Sequence, residues 1–213
     1  WVQALVSAAA ELEQPERADA GVERMLRDHP SSRPAWQLAA QQSQITGDVA
    51  GAALRLQVAH WLSPLGARDR KHLADLYGAA ELPRLAARHY AALWPEQPAL
   101  TRPLAVSWLQ AQEPDSARVV ISRALEMDAD QVELWSLLGD LEYEVQRWGA
   151  ARTAYARATT LDAGLGRAWL MQGACSVKLG DGDAAREVLE TARRDAEVAD
   201  EAERLLGYVM ARE

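Results

Sequence analysis

The sequence repeats itself with a period of 34 residues, and this restricts the folds open to the chain more than any other feature. Gly139, Gly173 and Gly207 lie 34 residues apart. Three prolines keep the same spacing, at Pro30, Pro64 and Pro98. Six alanines also keep it, with one step of 31 residues after the third: Ala18, Ala52, Ala86, Ala117, Ala151 and Ala185. Such a period is typical of proteins that stack one small repeat many times.

Within each repeat the apolar residues recur at i, i+3, i+4 and i+7, which is the spacing of an amphipathic helix. Alternating β-branched runs, which would indicate strands, do not occur. Short segments rich in Pro, Gly, Asp and Ser interrupt the helical pattern at intervals of mostly 11–17 residues. We therefore expect about a dozen short antiparallel helices, two in each repeat.

Residues 132–165 show the repeat most clearly. The residues that carry its pattern are Trp135, Leu138, Gly139, Ala151, Tyr155 and Ala158. With these residues the chain resembles the tetratricopeptide repeat (TPR) family, although Glu142 and Ala163 replace the family's usual aromatic residue and proline. The resemblance implies an all-α fold, an α-α superhelical solenoid of stacked antiparallel helix pairs, with residues 1–213 as a single domain. It divides the chain into about six repeats and a C-terminal helix, with bounds 1–32, 33–66, 67–97, 98–131, 132–165, 166–199 and 200–213.

Glycine at position 139 is unexpected inside a helix, because it costs roughly 0.5–1 kcal/mol relative to alanine. Small residues at Gly139 and Ala151 would let the two helices of a repeat approach closely. The sequence therefore predicts a recurring close contact at Gly139, Gly173 and Gly207. Tryptophan shares a structural position in three repeats and is predicted to be mostly core, at Trp36, Trp135 and Trp169. For the tryptophans outside that position, packing along the second helix is favoured over exposure; these are Trp61, Trp94 and Trp148.

Residues that could support catalysis or metal binding are few. The four histidines are His29, His60, His72 and His89. They form neither an HExxH motif nor a cluster with Cys175, which we interpret as a small buried side chain. The segment GDGD, residues 180–183, lacks the further acidic ligands of a calcium loop and is interpreted as a turn with a helix cap. We expect no catalytic residue, no metal and no cofactor, and therefore no enzyme.

The resemblance implies that a partner binds in a concave groove lined by the first helix of each repeat. The inward positions change from amide-rich to basic, then acidic, then apolar along the chain, which suits an extended ligand. The partner-binding residues predicted in this way are Gln37, Gln41, Arg68, Lys71, Asp75, Arg102, Leu109, Glu133, Ser136, Asp140, Tyr143, Arg167 and Leu170. Arg68, Lys71 and Arg102 would attract an acidic segment.

The net charge of −8 restricts the kind of partner. Residues 1–98 carry 11 acidic and 10 basic side chains, whereas residues 99–213 carry 20 acidic and 13 basic ones. This acidic half would repel nucleic acid and an anionic membrane surface. No apolar run approaches the ~20 residues of a membrane helix, so direct membrane insertion is not expected.

Three hypotheses for function follow. The first is a non-enzymatic scaffold that binds a peptide or partner protein. The second is a spacer or assembly segment of a larger bacterial envelope machine for secretion, pilus formation or exopolysaccharide export. It is supported by in-phase half-repeats at both ends, which suggest a piece of a longer array. The third, an RNA-binding helical repeat of the pentatricopeptide type, lacks both the 35-residue period and the basic groove. Homo-oligomer formation and the compartment, envelope or cytoplasm, stay open.

Overall fold

The computed structural model describes residues 15–211, with side chains from residue 18 onward. This part of the chain contains twelve α-helices, one short 3-10 helix and no strand. In chain order the α-helices are α1 Pro15–Asp28, α2 Arg33–Ile45, α3 Val49–Leu62, α4 Ala67–Ala79, α5 Pro83–Ala91, α6 Thr101–Gln110, α7 Pro114–Met127, α8 Val132–Glu144, α9 Trp148–Leu161, α10 Gly166–Leu179, α11 Gly182–Ala192 and α12 Ala199–Met210. The 3-10 helix, Pro98–Leu100, directly precedes α6. The first helix expected in repeat 1–32 lies outside the described residues, as do the last two residues of segment 200–213.

The chain divides between Gln112 and Glu113 into two compact blocks, which we call the N-terminal and the C-terminal block. Helices α1 to α6 belong to the first block and α7 to α12 to the second. Within each block, consecutive helices pack against each other. Each expected repeat from residue 33 to residue 199 contains one pair of helices, as the sequence predicts. The assignment of all 213 residues to a single domain stays a prediction.

The turn between the two helices of a repeat is built in the same way five times. One residue in each turn has a left-handed backbone, with φ between 59° and 78°; these residues are Gly47, Glu81, Gln112, Gln146 and Gly180. Their spacing follows the 34-residue period, including the single step of 31. In the turn after α8, the Arg147 amide donates to the Glu142 carbonyl at 2.8 Å, the 6→1 hydrogen bond of a Schellman motif. The repeated turn geometry therefore sets the repeated antiparallel pairing.

The second helix of a repeat begins directly after this turn, and in two repeats an aspartate caps it. The carboxylate of Asp48 accepts a hydrogen bond from the Gly51 amide at 2.8 Å. The carboxylate of Asp181 accepts one from the Ala184 amide at 3.3 Å. Residues 180–183 are thus a left-handed turn followed by a helix cap, which confirms the interpretation made from the sequence.

The alanine comb marks the places where the two helices of a repeat meet. All six alanines of the comb are fully buried. A Cβ atom built at Gly139 would lie 2.6 Å from the Tyr155 ring, and one at Gly173 would lie 2.5 Å from the Leu189 side chain. These two close approaches confirm the contact predicted for Gly139 and Gly173. The prediction for Gly207 is wrong. Gly207 is exposed, and a Cβ there would meet no atom within 4 Å, because no second helix follows α12 in the described residues.

Tryptophan at the shared position in the first helix secures the preceding connection. Each indole N–H donates to a backbone carbonyl six residues earlier, over 2.7 Å for Trp36, 2.8 Å for Trp135 and 3.0 Å for Trp169. These rings are half-buried and pack against the core clusters of their repeats. The expectation for Trp61 is wrong, because its side chain is 72% exposed. Trp61 points away from neighbouring helices, while Gln57 on the same helix is buried instead.

The three-residue deletion falls in the second helix of repeat 67–97. Helix α5 has 9 residues, whereas α3, α7 and α9 each have 14. Turn residues and the 3-10 helix then lead the chain into α6. The indole of Trp94 donates to the Thr101 hydroxyl at 2.8 Å across this connection. The shortened helix is therefore replaced by a connection that is itself hydrogen-bonded.

Candidate functional site

The first helices of two neighbouring repeats meet in the N-terminal block. The Gln37 amide of α2 donates to the Asp69 carboxylate of α4 at 3.1 Å. Near the other end of the same face, Gln44 Nε2 lies 2.9 Å from His72 Nε2. These two pairs hold α2 beside α4 and enclose a cavity of about 580 Å³. Its walls are formed by Gln37, Ala40, Gln41, Gln44, Leu56, Arg68, Asp69, Lys71, His72 and Asp75.

Five of the residues that were predicted to bind a partner line this cavity. They are Gln37, Gln41, Arg68, Lys71 and Asp75. The glutamines come from α2 and the charged residues from α4, so the cavity has an amide wall and a charged wall. Arg102 and Leu109, on α6, do not line it; Arg102 is exposed and Leu109 is half-buried. The assignment of all these residues to partner binding stays a prediction.

A buried tyrosine holds Asp75 in the cavity. The Tyr90 hydroxyl, from α5, donates to the Asp75 carboxylate at 2.5 Å. Lys71, one helical turn earlier, donates to the same carboxylate at 2.9 Å. Burial and the hydrogen bond to Asp75 raise the pKa of Tyr90 above its ordinary value, so the hydroxyl keeps its proton. The Asp75 carboxylate is thus fixed by one buried and one exposed donor.

The C-terminal block repeats this arrangement one repeat pattern further on. The Tyr155 hydroxyl, from α9, donates to the Asp140 carboxylate of α8 at 2.7 Å. The cation beside Asp140 is Arg167, which approaches from α10 at 3.5 Å. Burial and the hydrogen bond to Asp140 raise the pKa of Tyr155. In both blocks, a tyrosine from the second helix therefore orients an aspartate on the face of the first helix.

The other predicted residues of the C-terminal block have less defined surroundings. Glu133 is exposed and Ser136 is half-buried on the same helix as Asp140. The Tyr143 ring meets the Trp148 ring edge to face, with 4.8 Å between the ring centroids. None of these residues lines the cavity of about 610 Å³ that lies near the C-terminal end of α10, between Val177 and Tyr208.

The prediction for Leu170 is wrong, because this side chain belongs to the core. Leu170 is 5% exposed and lies in one cluster with Leu189, Ala202 and Leu206. Helix α12 packs on α10 and covers the position. A groove position is open only where the next first helix lies far enough away, and here it does not.

Sequence reasoning missed two cavity residues, Asp69 and His72, and the two tyrosines that orient the aspartates. Asp69 and His72 fall outside the inward positions taken from the repeat pattern. A signal for the tyrosines was present. Tyr90 and Tyr155 each follow an aspartate by fifteen residues at matching repeat positions, whereas the other described repeats have an aliphatic residue in place of the tyrosine.

Chemistry other than binding finds little support in the described residues. Among residues 15–211, no group of three or more His, Cys, Asp or Glu side chains is arranged to hold a metal ion. Burial raises the pKa of the Cys175 thiol to about 11, so the thiol keeps its proton at neutral pH. In the same part of the chain, none of the helices has the length and apolarity that a membrane crossing demands.

Comparison with known proteins places this architecture. No protein-family model matches the sequence. No curated protein sequence is significantly similar to it. Solved structures do match. The C-terminal part of a TPR repeat-containing protein from Cytophaga hutchinsonii has a TM-score of 0.64 or better, namely 0.67, at 11% identity, covering 98% of this chain and 88% of that chain.

Two further solved structures cover nearly their whole length in the comparison. YrrB, described as a TPR protein with an unusual peptide-binding site, has a TM-score of 0.61 at 16% identity, covering 86% of this chain and 97% of its own. PilW, described as a widely conserved type IV pilus biogenesis factor, has a TM-score of 0.59 at 16% identity, covering 96% of each chain. The chain therefore has the all-α fold of TPR proteins, which confirms the fold predicted from the repeat pattern.

Proposed function

We propose that the chain is a protein-interaction scaffold that binds an extended peptide segment along the faces of its first helices. The observation that carries this proposal is the cavity between α2 and α4. It is open to solvent, it is large enough for several side chains, and it is lined by amides on one wall and charges on the other. YrrB, which shares the fold, is described as having a peptide-binding site, and this adds support.

The chemistry of the cavity suits a peptide backbone. An amide side chain offers both a donor and an acceptor, which are the groups that pair with peptide C=O and N–H. Gln37, Gln41 and Gln44 present such amides along one face of α2 at i, i+4 and i+7. Arg68 and Lys71 on the facing helix favour an acidic side chain in the ligand. The expected ligand is therefore an extended segment with at least one acidic residue.

The proposal can be tested without knowledge of the natural partner. Random 12-residue peptides displayed on phage would be selected on the chain, and the binding of an enriched synthetic peptide measured by fluorescence anisotropy. We expect Arg68→Ala and Gln41→Ala each to weaken binding at least fivefold. The matched control is Arg27→Ala, an exposed arginine on α1 and outside the cavity, which should leave binding unchanged. Binding that is insensitive to both cavity substitutions would refute this location.

A second candidate function is an assembly segment of a larger envelope machine. The observation that favours it is the similarity of fold to PilW, which is described as a pilus biogenesis factor. A folded component would then occupy the same helix faces in place of a flexible peptide. If selection enriches no short peptide while a folded partner binds and is sensitive to Arg68→Ala, this second candidate replaces the first.

A further inference from the structure

Helix α3 in the N-terminal block has its polar and apolar residues in unusual places. Its only polar side chains are Arg55, Gln57 and His60, and all three are used inside the block. Arg55 binds Glu23 of α1 at 3.0 Å, and Gln57 accepts from the Tyr77 hydroxyl at 2.9 Å. The His60 ring accepts a hydrogen bond from the Leu65 amide at 3.1 Å. No polar side chain of α3 is therefore left for its outer surface.

The outer surface of α3 carries an apolar stripe instead, formed by Ala50, Leu54 and Trp61. Leu54 is 60% exposed and Trp61 is 72% exposed. The three residues lie within about 40° of one another around the helix axis, because each residue advances by about 100°. A surface helix normally places its polar side there. Large exposed aromatic residues are also the ones that most often dominate protein contacts.

The stripe lies at the centre of a three-helix surface. Helix α1 flanks α3 through the ion pair between Glu23 and Arg55. Helix α5 flanks it on the other side, where His89 Nε2 lies 3.0 Å from the Gln57 side-chain oxygen. These three second helices present one continuous outer face, which we call the α3 face.

We propose that the α3 face is the contact surface between two copies of this chain, related by a two-fold axis that sets the two α3 helices antiparallel. In this arrangement Leu54 of each copy lies against Trp61 of the other. A two-fold contact of this kind uses the same patch on both copies. The stripe suits it because its two large side chains are seven residues apart, on either side of a common centre.

The charges on α1 support the antiparallel pairing. Asp19 and Glu23 occupy its first half, and Arg24 and Arg27 its second half, before Asp28 ends the helix. All five side chains are exposed to some degree at the surface. Antiparallel pairing about the centre of α3 brings Arg24 of one copy opposite Glu23 of the other, since matching positions in α1 and α3 differ by 34 residues.

The charges on the other flank run in the reverse order. Arg84 and Arg88 are exposed on α5, and the exposed Glu96 follows after the helix ends. The same two-fold axis brings Arg88 of one copy near Glu96 of the other. Both flanks therefore place opposite charges together, which favours this orientation over a parallel one.

The size of the α3 face predicts a weak dimer. Helix α3 has 14 residues and is about 21 Å long. Three helices spaced about 8–10 Å apart are about 25 Å wide, so the footprint is about 500 Å² per copy. A stable interface of standard size buries about 800 Å² per partner. We therefore expect a dimer that forms in the micromolar range and above.

Sedimentation velocity on the 213-residue chain between about 1 and 500 µM tests this proposal. We expect the weight-average mass to rise with concentration from monomer towards dimer. Trp61→Asp and Leu54→Asp should each raise the dissociation constant at least tenfold. Met127→Asp is the matched control, because Met127 is 69% exposed but lies on α7 in the other block. A chain that is monomeric at every concentration, or a dimer unaffected by both stripe substitutions, overturns the proposal.

Disulfide crosslinking tests the antiparallel orientation separately. Leu54→Cys and Trp61→Cys chains would be oxidised alone and as a mixture, with the unsubstituted chain as control because Cys175 is fully buried. The mixture should yield crosslinked dimers in large excess over either variant alone. Equal or greater crosslinking of a single variant would indicate a parallel contact and refute the orientation. Circular dichroism of each variant confirms that the helices remain intact.

Discussion

Substitution of Gly139 by alanine should destabilise the chain, although helix propensity alone predicts the opposite. In an exposed helix this change would stabilise by roughly 0.5–1 kcal/mol. Here the new Cβ would lie 2.6 Å from the Tyr155 ring, a distance at which something must move. The ring is 1% exposed and its hydroxyl is bonded to Asp140 at 2.7 Å, so it has little freedom to shift. Overpacking costs typically about 1–3 kcal/mol, and we expect a net loss of about 1–2 kcal/mol.

The chain provides its own control for this prediction. Gly207 lies inside α12, and a Cβ there meets nothing within 4 Å. Gly207→Ala should therefore stabilise by roughly 0.5–1 kcal/mol, since only the propensity term acts. Both variants would be compared with the unsubstituted chain by urea denaturation, followed by circular dichroism. Two variants with the same chemical change should thus shift the unfolding midpoint in opposite directions.

A double-mutant cycle identifies the contact responsible. In a Tyr155→Ala background the ring is absent, and Gly139→Ala should become stabilising. Gly139→Leu, which adds a larger side chain, should cost more than Gly139→Ala in the original background. The reasoning fails if Gly139→Ala is neutral or stabilising when Tyr155 is present, because the close approach would then carry no energetic weight.

Three further predictions concern stability. Burial, with the nearby charges of Arg70 and His60, lowers the pKa of His89 from 6.5 to about 4. Unfolding therefore takes up a proton between these values, and stability present above pH 6.5 falls by about 2.5 kcal/mol at pH 4.5; His89→Gln should show a correspondingly flatter pH profile of unfolding free energy. Leu82, the uncapped and exposed N-cap of α5, should stabilise by about 1 kcal/mol as Leu82→Asp, with Asp48→Ala losing a similar amount in thermal melts. Arg118→Ala should cost about 2–3 kcal/mol because it removes the guanidinium that binds both oxygens of the buried Glu142 carboxylate, and the double change Arg118→Met with Glu142→Leu should recover most of this in urea denaturation.

The sequence was most informative where the same contact recurs in every repeat. The alanine comb and Gly139 could be interpreted because helix pairs within a repeat always meet at the same positions. The helix bounds followed for the same reason, since the turns use left-handed residues at a fixed spacing. The sequence also singled out five residues that line the α2–α4 cavity, because inward positions on first helices are periodic.

The tertiary structure decided what the period leaves open, which is the neighbour that each position meets. Leu170 occupies a groove position by sequence but is covered, because α12 packs on α10. Gly207 has the residue of a close contact without a helix to approach. Trp61 is exposed because the polar residues of α3 are taken up by α1, α4 and α5. In each case the repeat pattern specified the position, and contacts between repeats, which are long-range in sequence, determined its environment.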